Sequence, residues 1–124
     1  WRRSGTWCGM ASEPGPAIDL DHLGIYTQGN RDLELELLTM FLPNAQGYVD
    51  AMAEQAEVVH DSEAWWMSAH SLKGVSLGVG AGQLAELAEA AELLRDGAAH
   101  RRQEQIAALR SALERVRRFV AELG

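Results

Sequence analysis

Apolar side chains recur at helical spacing along most of this chain, and no stretch shows the strict alternation of a half-buried β-strand. Four such segments are long enough to be substantial helices, and short connections separate them. Because short connections place consecutive helices side by side in opposite directions, the sequence predicts an all-α fold, an antiparallel up-down four-helix bundle. A short extra N-terminal helix, predicted over residues 18–25, caps one end of that bundle.

Start and stop signals set the expected helix boundaries. Asp19 caps the short helix, and Asn30 is a suitable N-cap for a long helix that begins near Arg31 and reaches the fifties. The apolar stripe of this long helix keeps the same helical repeat on both sides of Pro43, which predicts one kinked helix rather than two. That stripe comprises Leu33, Leu37, Met40, Phe41, Asn44, Tyr48 and Met52, widened by Leu38, Leu42, Ala45 and Val49. The remaining helices are expected from Asp61 or Ser62 to about 78–82, over 81–94 and over 99–123, with 58–61 and Asp96-Gly97 in the connections.

Charged residues are expected on the outer sides of the last two helices. Glu86, Glu89 and Glu92 are expected on the outer face of the helix over 81–94. The arginines of the last helix, Arg101 and Arg102 among them, are expected on a solvated face, and an interaction patch is the alternative.

Composition excludes several classes of protein. A formal net charge of −7 and a pI near 5.0 lack the basic surface that nucleic-acid binding requires. No apolar run approaches the ~20 residues of a membrane span, and we expect no signal peptide. The lone cysteine, Cys8, cannot form an internal disulfide and is typical of a reducing compartment, so we expect a cytoplasmic protein. A single bundle that buries its own stripes is expected to be a monomer.

The N-terminal part differs in character from the rest. Residues 1–17 carry three glycines and two prolines without a helical period, which predicts a flexible tail. Met10 is a candidate natural start, so residues 1–9 are interpreted as an addition from expression or as an upstream extension. Alternatively, the whole chain is a piece of a longer protein. The folded domain is expected over residues 18–124.

The most informative stretch is residues 69–74, on the second substantial helix. At about 100° per residue, the buried arc of this helix comprises Trp65, Leu72, Val75, Ser76 and Val79, and His70 points away from it. The face around His70 carries Lys73, which is the only lysine of the chain, with Gly74 and three large apolar side chains, Trp66, Met67 and Leu77. A solvated helix face is mostly charged or polar, so this composition favours a partner-binding surface.

The same face brings together residues suited to phosphoryl transfer. A neutral nitrogen of the His70 imidazole is a nucleophile near neutral pH. Lys73, one turn away, can hold phosphoryl oxygens by charge-assisted hydrogen bonds. Gly74 costs the helix about 0.5–1 kcal/mol relative to alanine, and it leaves a gap beside the imidazole through which another molecule can approach.

His70, Leu72, Lys73 and Gly74, followed by Gly80 and Leu84, form a pattern that resembles the histidine-containing phosphotransfer (HPt) domain of two-component phosphorelays. The resemblance extends from about residue 20 to the C-terminus. It implies that His70 accepts a phosphoryl group from a receiver-domain aspartate or a histidine kinase and passes it to another receiver. Lys73 would stabilise the phosphate, and Gly74 would give access to the ring. The implied partners are response-regulator receiver domains and a hybrid sensor kinase, docked on a rim formed by Trp66, Met67 and Leu77.

Other chemistries find little support in the residues. The chain lacks a Gly-rich phosphate cradle, a Walker-type lysine motif and a carboxylate pair placed for magnesium, so we expect neither ATP binding nor autokinase activity. We expect no cofactor and no metal on this chain, and the resemblance implies that the receiver partner supplies Mg²⁺ and the aspartate. The alternative function is a helical adaptor that binds receiver or kinase domains without carrying phosphate.

Overall fold

The structure is a computed structural model that describes residues 15–57 and 62–124. These residues form five helices and no strand: α1 (Leu20–Thr27), α2 (Arg31–Gln55), α3 (Ser62–Gly78), α4 (Gly82–Glu92) and α5 (Ala99–Leu123). The all-α prediction is therefore confirmed. None of the five helices is long and apolar enough to cross a membrane.

The four longer helices pack as a ring around one core. Helix α2 packs against α3 and α5, and α4 packs against the same two helices from the other side. Because consecutive helices are neighbours, they run antiparallel, as predicted for an up-down bundle. The short helix α1 packs against α2. Ala17, at the end of the predicted tail, is buried in the core, while most of that tail lies outside the described residues.

Two predicted N-caps are present. The Asp19 side chain accepts hydrogen bonds from the backbone N–H groups of Asp21 at 3.0 Å and His22 at 3.3 Å. The Asn30 side chain accepts one from the backbone N–H of Leu33 at 3.1 Å. Each cap satisfies donors that the first helical turn leaves without a partner, which fixes where α1 and α2 begin. The predicted connection at residues 58–61 and its capping by Asp61 lie outside the described residues.

The buried face of α2 agrees only partly with the predicted stripe. Buried residues are Glu34, Leu38, Phe41, Ala45, Val49 and Met52. Leu33, Met40 and Asn44 are exposed, so their assignment to the inward stripe was wrong. Apolar residues cover more than half of the circumference of this helix, and periodicity alone could not select the side that faces α3 and α5. The prediction of a single helix through Pro43 is confirmed.

The turn between α3 and α4 depends on Gly80, which has a positive φ of 79°. The Gly80 carbonyl accepts a hydrogen bond from the backbone N–H of Asp19 at 2.8 Å, which ties this turn to the start of α1. A Cβ on Gly80 would lie 2.8 Å from the Asp19 carbonyl oxygen, closer than non-bonded carbon and oxygen approach. Glycine is therefore required here both for its conformation and for space.

Replacing Gly80 with alanine is expected to lower the free energy of unfolding by about 2–3 kcal/mol, because a left-handed alanine costs ~1–2 kcal/mol and its methyl group must displace the Asp19 backbone. Gly82→Ala is the matched control, since a Cβ there meets nothing within 4 Å. Urea denaturation followed by circular dichroism measures both variants. Equal unfolding midpoints for the two variants would contradict this account of the turn.

Arg102 is only 4% exposed, so its predicted place on the solvated face of α5 was wrong. Its guanidinium donates to the carbonyl oxygens of Leu94 at 3.0 Å and Ala56 at 3.3 Å, and also to that of Arg95. It lies over the Trp65 ring, 5.5 Å from the centroid. One side chain thus joins the end of α2 to the connection between α4 and α5, which adjoins the candidate site.

Candidate functional site

Helix α3 presents His70 to solvent. Trp65, Ala69, Leu72 and Ser76 form its buried side, and the indole N–H of Trp65 donates to the Ala91 carbonyl oxygen at 2.7 Å. This anchor holds α3 against α4 and sets its rotation. The His70 side chain consequently lies on the opposite side and is 54% exposed. The predicted orientation of the helix is confirmed.

A carboxylate from the neighbouring helix faces the His70 ring. The Nδ1 atom of His70 lies 3.4 Å from Oε2 of Glu92, at the long end of the hydrogen-bond range. The Glu92 side chain is only 12% exposed, so the sequence-based placement of Glu92 on the outer face of α4 was wrong. A carboxylate accepts but cannot donate when ionised, so this contact favours the tautomer with the proton on Nδ1. The lone pair is then on Nε2, at the other edge of the ring.

Lys73 points at the same carboxylate. Its Nζ atom lies 3.3 Å from Oε2 of Glu92 and 3.8 Å from Oε2 of Glu89, and its side chain is mostly shielded. His70 and Lys73 therefore converge on Glu92, which places an imidazole and an ammonium group around one oxygen. An ammonium group has three donors, so Lys73 can keep this contact and still bind a further anionic oxygen.

Sequence reasoning missed Glu92, although the sequence contains a signal for it. In an antiparallel helix pair, residues at equal distances from the turn lie opposite each other. His70 and Glu92 are equally far in sequence from Ala81, and so are Lys73 and Glu89. Combining the predicted turn with this symmetry would have placed both glutamates beside the histidine and the lysine.

The surface around the imidazole is open on the side of Gly74. A Cβ placed on Gly74 would meet no heavy atom within 4 Å. Met67 and Leu77, on the same face, are more than half exposed. Trp66 differs from them, because its ring is stacked on the His70 ring with the centroids 4.7 Å apart and an interplanar angle of 10°. Of the predicted docking rim, Met67 and Leu77 are thus accessible to a partner, whereas Trp66 already has an aromatic neighbour.

A small helical bundle with an open histidine beside a lysine is the arrangement expected of a phosphotransfer domain. The family model of the Hpt domain matches residues 36–119. The chain therefore belongs to the Hpt domain family, and its role is phosphotransfer in two-component signalling, as a phosphocarrier rather than an enzyme. The family assignment made from the motif around His70 is confirmed.

Comparison with solved structures gives the same fold. The crystal structure of histidine-containing phosphotransfer protein B from Pseudomonas aeruginosa PAO1 matches with a TM-score of 0.76 and 22% sequence identity, over 88% of this chain and 95% of that chain. At this level of identity the likeness shows the helical architecture. Comparison with curated protein sequences finds no match.

Proposed function

We propose that His70 is the residue that carries the phosphoryl group in this relay. The observation that supports it is the environment of the ring: His70 is more than half exposed, Glu92 faces Nδ1, and Lys73 is one turn away. Nδ1 keeps its proton against the carboxylate, so Nε2 is the free nucleophile at the exposed edge. No other histidine among residues 15–57 and 62–124 has a lysine beside it, since Lys73 is the only lysine.

The proposed donor is the phosphorylated aspartate of a receiver domain. The lone pair of Nε2 attacks phosphorus, an N–P bond forms, and the bond between phosphorus and the aspartate oxygen breaks. The aspartate leaves as a carboxylate, and the ring becomes a cation that keeps its proton on Nδ1. Glu92 stabilises that cation, and Lys73 binds the transferred oxygens by charge-assisted hydrogen bonds. Transfer to a second receiver reverses these steps.

The receiver is also the proposed source of the remaining chemistry. Phosphoryl transfer depends mainly on positioning and charge neutralisation, and this chain offers one nucleophile and one adjacent cation. We propose that the receiver contributes Mg²⁺ together with its aspartate, and that this chain binds no ATP. The open side at Gly74 admits the receiver's active site, while Met67 and Leu77 contact the receiver's surface.

Transfer from labelled receivers tests this function. Receiver domains are phosphorylated on aspartate with radiolabelled phosphate in the presence of Mg²⁺, and each is mixed with this chain. The expected result is label on this chain that is stable to base and labile to acid, as a phosphoramidate bond to nitrogen is. A panel of receivers that bind this chain but never transfer label to it would support the adaptor function instead.

Lys73→Ala is expected to slow this transfer by roughly 10- to 100-fold, the equivalent of one lost hydrogen bond to a charged group. The helical circular-dichroism signal should be unchanged, because the Lys73 ammonium contacts only side chains on the rim of the bundle. Lys73→Arg is the control, since it keeps the positive charge and should recover most of the rate. Loss of helical signal in the alanine variant would show that Lys73 supports the fold instead.

A further inference from the structure

The Trp66 ring has contacts that separate it from the rest of the exposed face. It lies nearly parallel to the His70 ring, with 4.7 Å between the ring centroids. The Arg95 guanidinium lies over the same indole, with its central carbon 5.6 Å from the ring centroid. An indole stacked on an imidazole and covered by a guanidinium has little free ring surface for a partner. These contacts direct Trp66 towards His70 rather than towards a docked protein.

The residues behind this stack are held firmly. Arg95 follows the end of α4, and its carbonyl accepts a hydrogen bond from buried Arg102. Trp66 is adjacent in sequence to Trp65, whose indole is fully buried and hydrogen-bonded to Ala91. The backbones of both Trp66 and Arg95 are therefore anchored in the core, and their side chains can act as a fixed support for the imidazole.

We infer that Trp66 is a positioning residue that selects which nitrogen of His70 reacts. The inference rests on the proposed role of His70 as the phosphoryl acceptor. Stacking holds the plane of the imidazole, and within that plane the contact between Nδ1 and Glu92 turns Nε2 outward. The Nε2 lone pair lies in the ring plane, so a stacked indole covers a face of the ring and leaves the reacting edge free. Arg95 secures the indole in this arrangement.

A small phosphoryl donor tests this without a partner protein. Phosphoramidate reacts with imidazole: the N–P bond to the ring forms, the donor's own P–N bond breaks, and the amine leaves as ammonia with a proton from solvent. Phosphorus NMR distinguishes phosphate on Nε2 from phosphate on Nδ1. The wild-type chain is expected to react at His70 almost only on Nε2. His100 is exposed, and its ring contacts no aromatic ring or carboxylate among the described residues. It serves as the internal reference for a histidine whose ring is not held in place.

Three variants separate positioning from other roles. Trp66→Leu keeps apolar volume but removes the stack. It should raise the fraction of phosphate on Nδ1 of His70 roughly 2- to 10-fold, because the stacking energy of one aromatic pair changes a population ratio by about that factor. Trp66→Phe keeps a ring and should retain most of the wild-type preference. Arg95→Gln should shift the ratio in the same direction as Trp66→Leu but less, whereas Arg101→Gln removes the same charge from an exposed position and should change nothing. The ratio at His100 should stay constant throughout.

Proton NMR of the His70 ring supplies the second readout. The ring protons of His70 should show an upfield ring-current shift in wild type that is lost in Trp66→Leu and partly kept in Trp66→Phe. An unchanged Nδ1 fraction in a folded Trp66→Leu variant would overturn the inference, and so would the absence of a ring-current shift in wild type. If Trp66→Leu does not fold, Trp66→Phe and Arg95→Gln still decide the matter. Phosphoramidate needs no docked receiver, so this experiment tests the role of Trp66 separately from the proposed relay. The relay itself is tested by transfer of label from receivers.

Discussion

Replacing His70 with glutamine is expected to abolish transfer of phosphate from receivers to this chain. The glutamine amide has a similar size and polarity but no nucleophilic nitrogen, because its lone pair is delocalised onto the carbonyl. The His70 side chain is 54% exposed and makes only one long polar contact, so the variant should keep wild-type stability to within about 0.5 kcal/mol. Radiolabel transfer followed by electrophoresis measures the effect.

His100→Gln is the matched control for this prediction. His100 is exposed in the first turn of α5, on a different helix from Lys73. This variant should accept label at the wild-type rate. Label that persists in His70→Gln, or that disappears in His100→Gln, would show that another histidine carries the phosphate.

Replacing Arg102 with methionine is expected to cost about 3–5 kcal/mol of unfolding free energy. The methionine keeps an apolar chain of similar length, but the carbonyl oxygens of Ala56, Leu94 and Arg95 lose a charged donor in a buried setting. Loss of the contact with the Trp65 ring adds to this. Because native domains have only about 5–15 kcal/mol of stability, the urea midpoint should fall sharply.

Arg101→Met is the natural comparison, since it removes the same group one position earlier on an exposed part of α5. Its unfolding free energy should stay within about 0.5 kcal/mol of wild type. Similar losses in the two variants would mean that net charge, and not the buried contacts of Arg102, determines the effect.

The helices were predictable because their signals are local. Asp19 and Asn30 mark the starts of helices, and Gly80 marks a turn. These signals can be recognised without knowing how the helices pack. The position of His70 on the open face followed from the contrast between an apolar arc with Trp65 and Leu72 and a mixed arc opposite. In each of these cases a few neighbouring residues hold enough information to determine the outcome.

The incorrect predictions involve contacts between elements distant in sequence. Arg102 was placed on the solvated face because arginine is seldom buried, and only three converging carbonyl oxygens make its burial favourable. Glu92 was placed outside because the rotation of α4 relative to α3 cannot be read from α4 alone. The predicted stripe on α2 was too wide for the same reason, since apolar residues lie both on the buried side, such as Leu38, and on the exposed side, such as Met40.

The flexible tail, the cytoplasmic location and the monomeric state remain predictions. The docking of a receiver on Met67 and Leu77 remains one as well. For Trp66 we propose a positioning role in place of docking, because its ring is stacked on that of His70, and this role can be measured on the isolated chain.

Mass spectrometry after transfer from a receiver shows which residue of this chain carries the phosphoryl group. The chain is incubated with a phosphorylated receiver at neutral pH, digested under basic conditions, and fragmented by electron transfer, which preserves the N–P bond. We expect the added mass of one phosphoryl group on His70, and we expect that mass to disappear when an unphosphorylated receiver is added. A phosphoryl group on any other residue, or an unmodified peptide around His70 from a chain that carries label, would contradict this expectation.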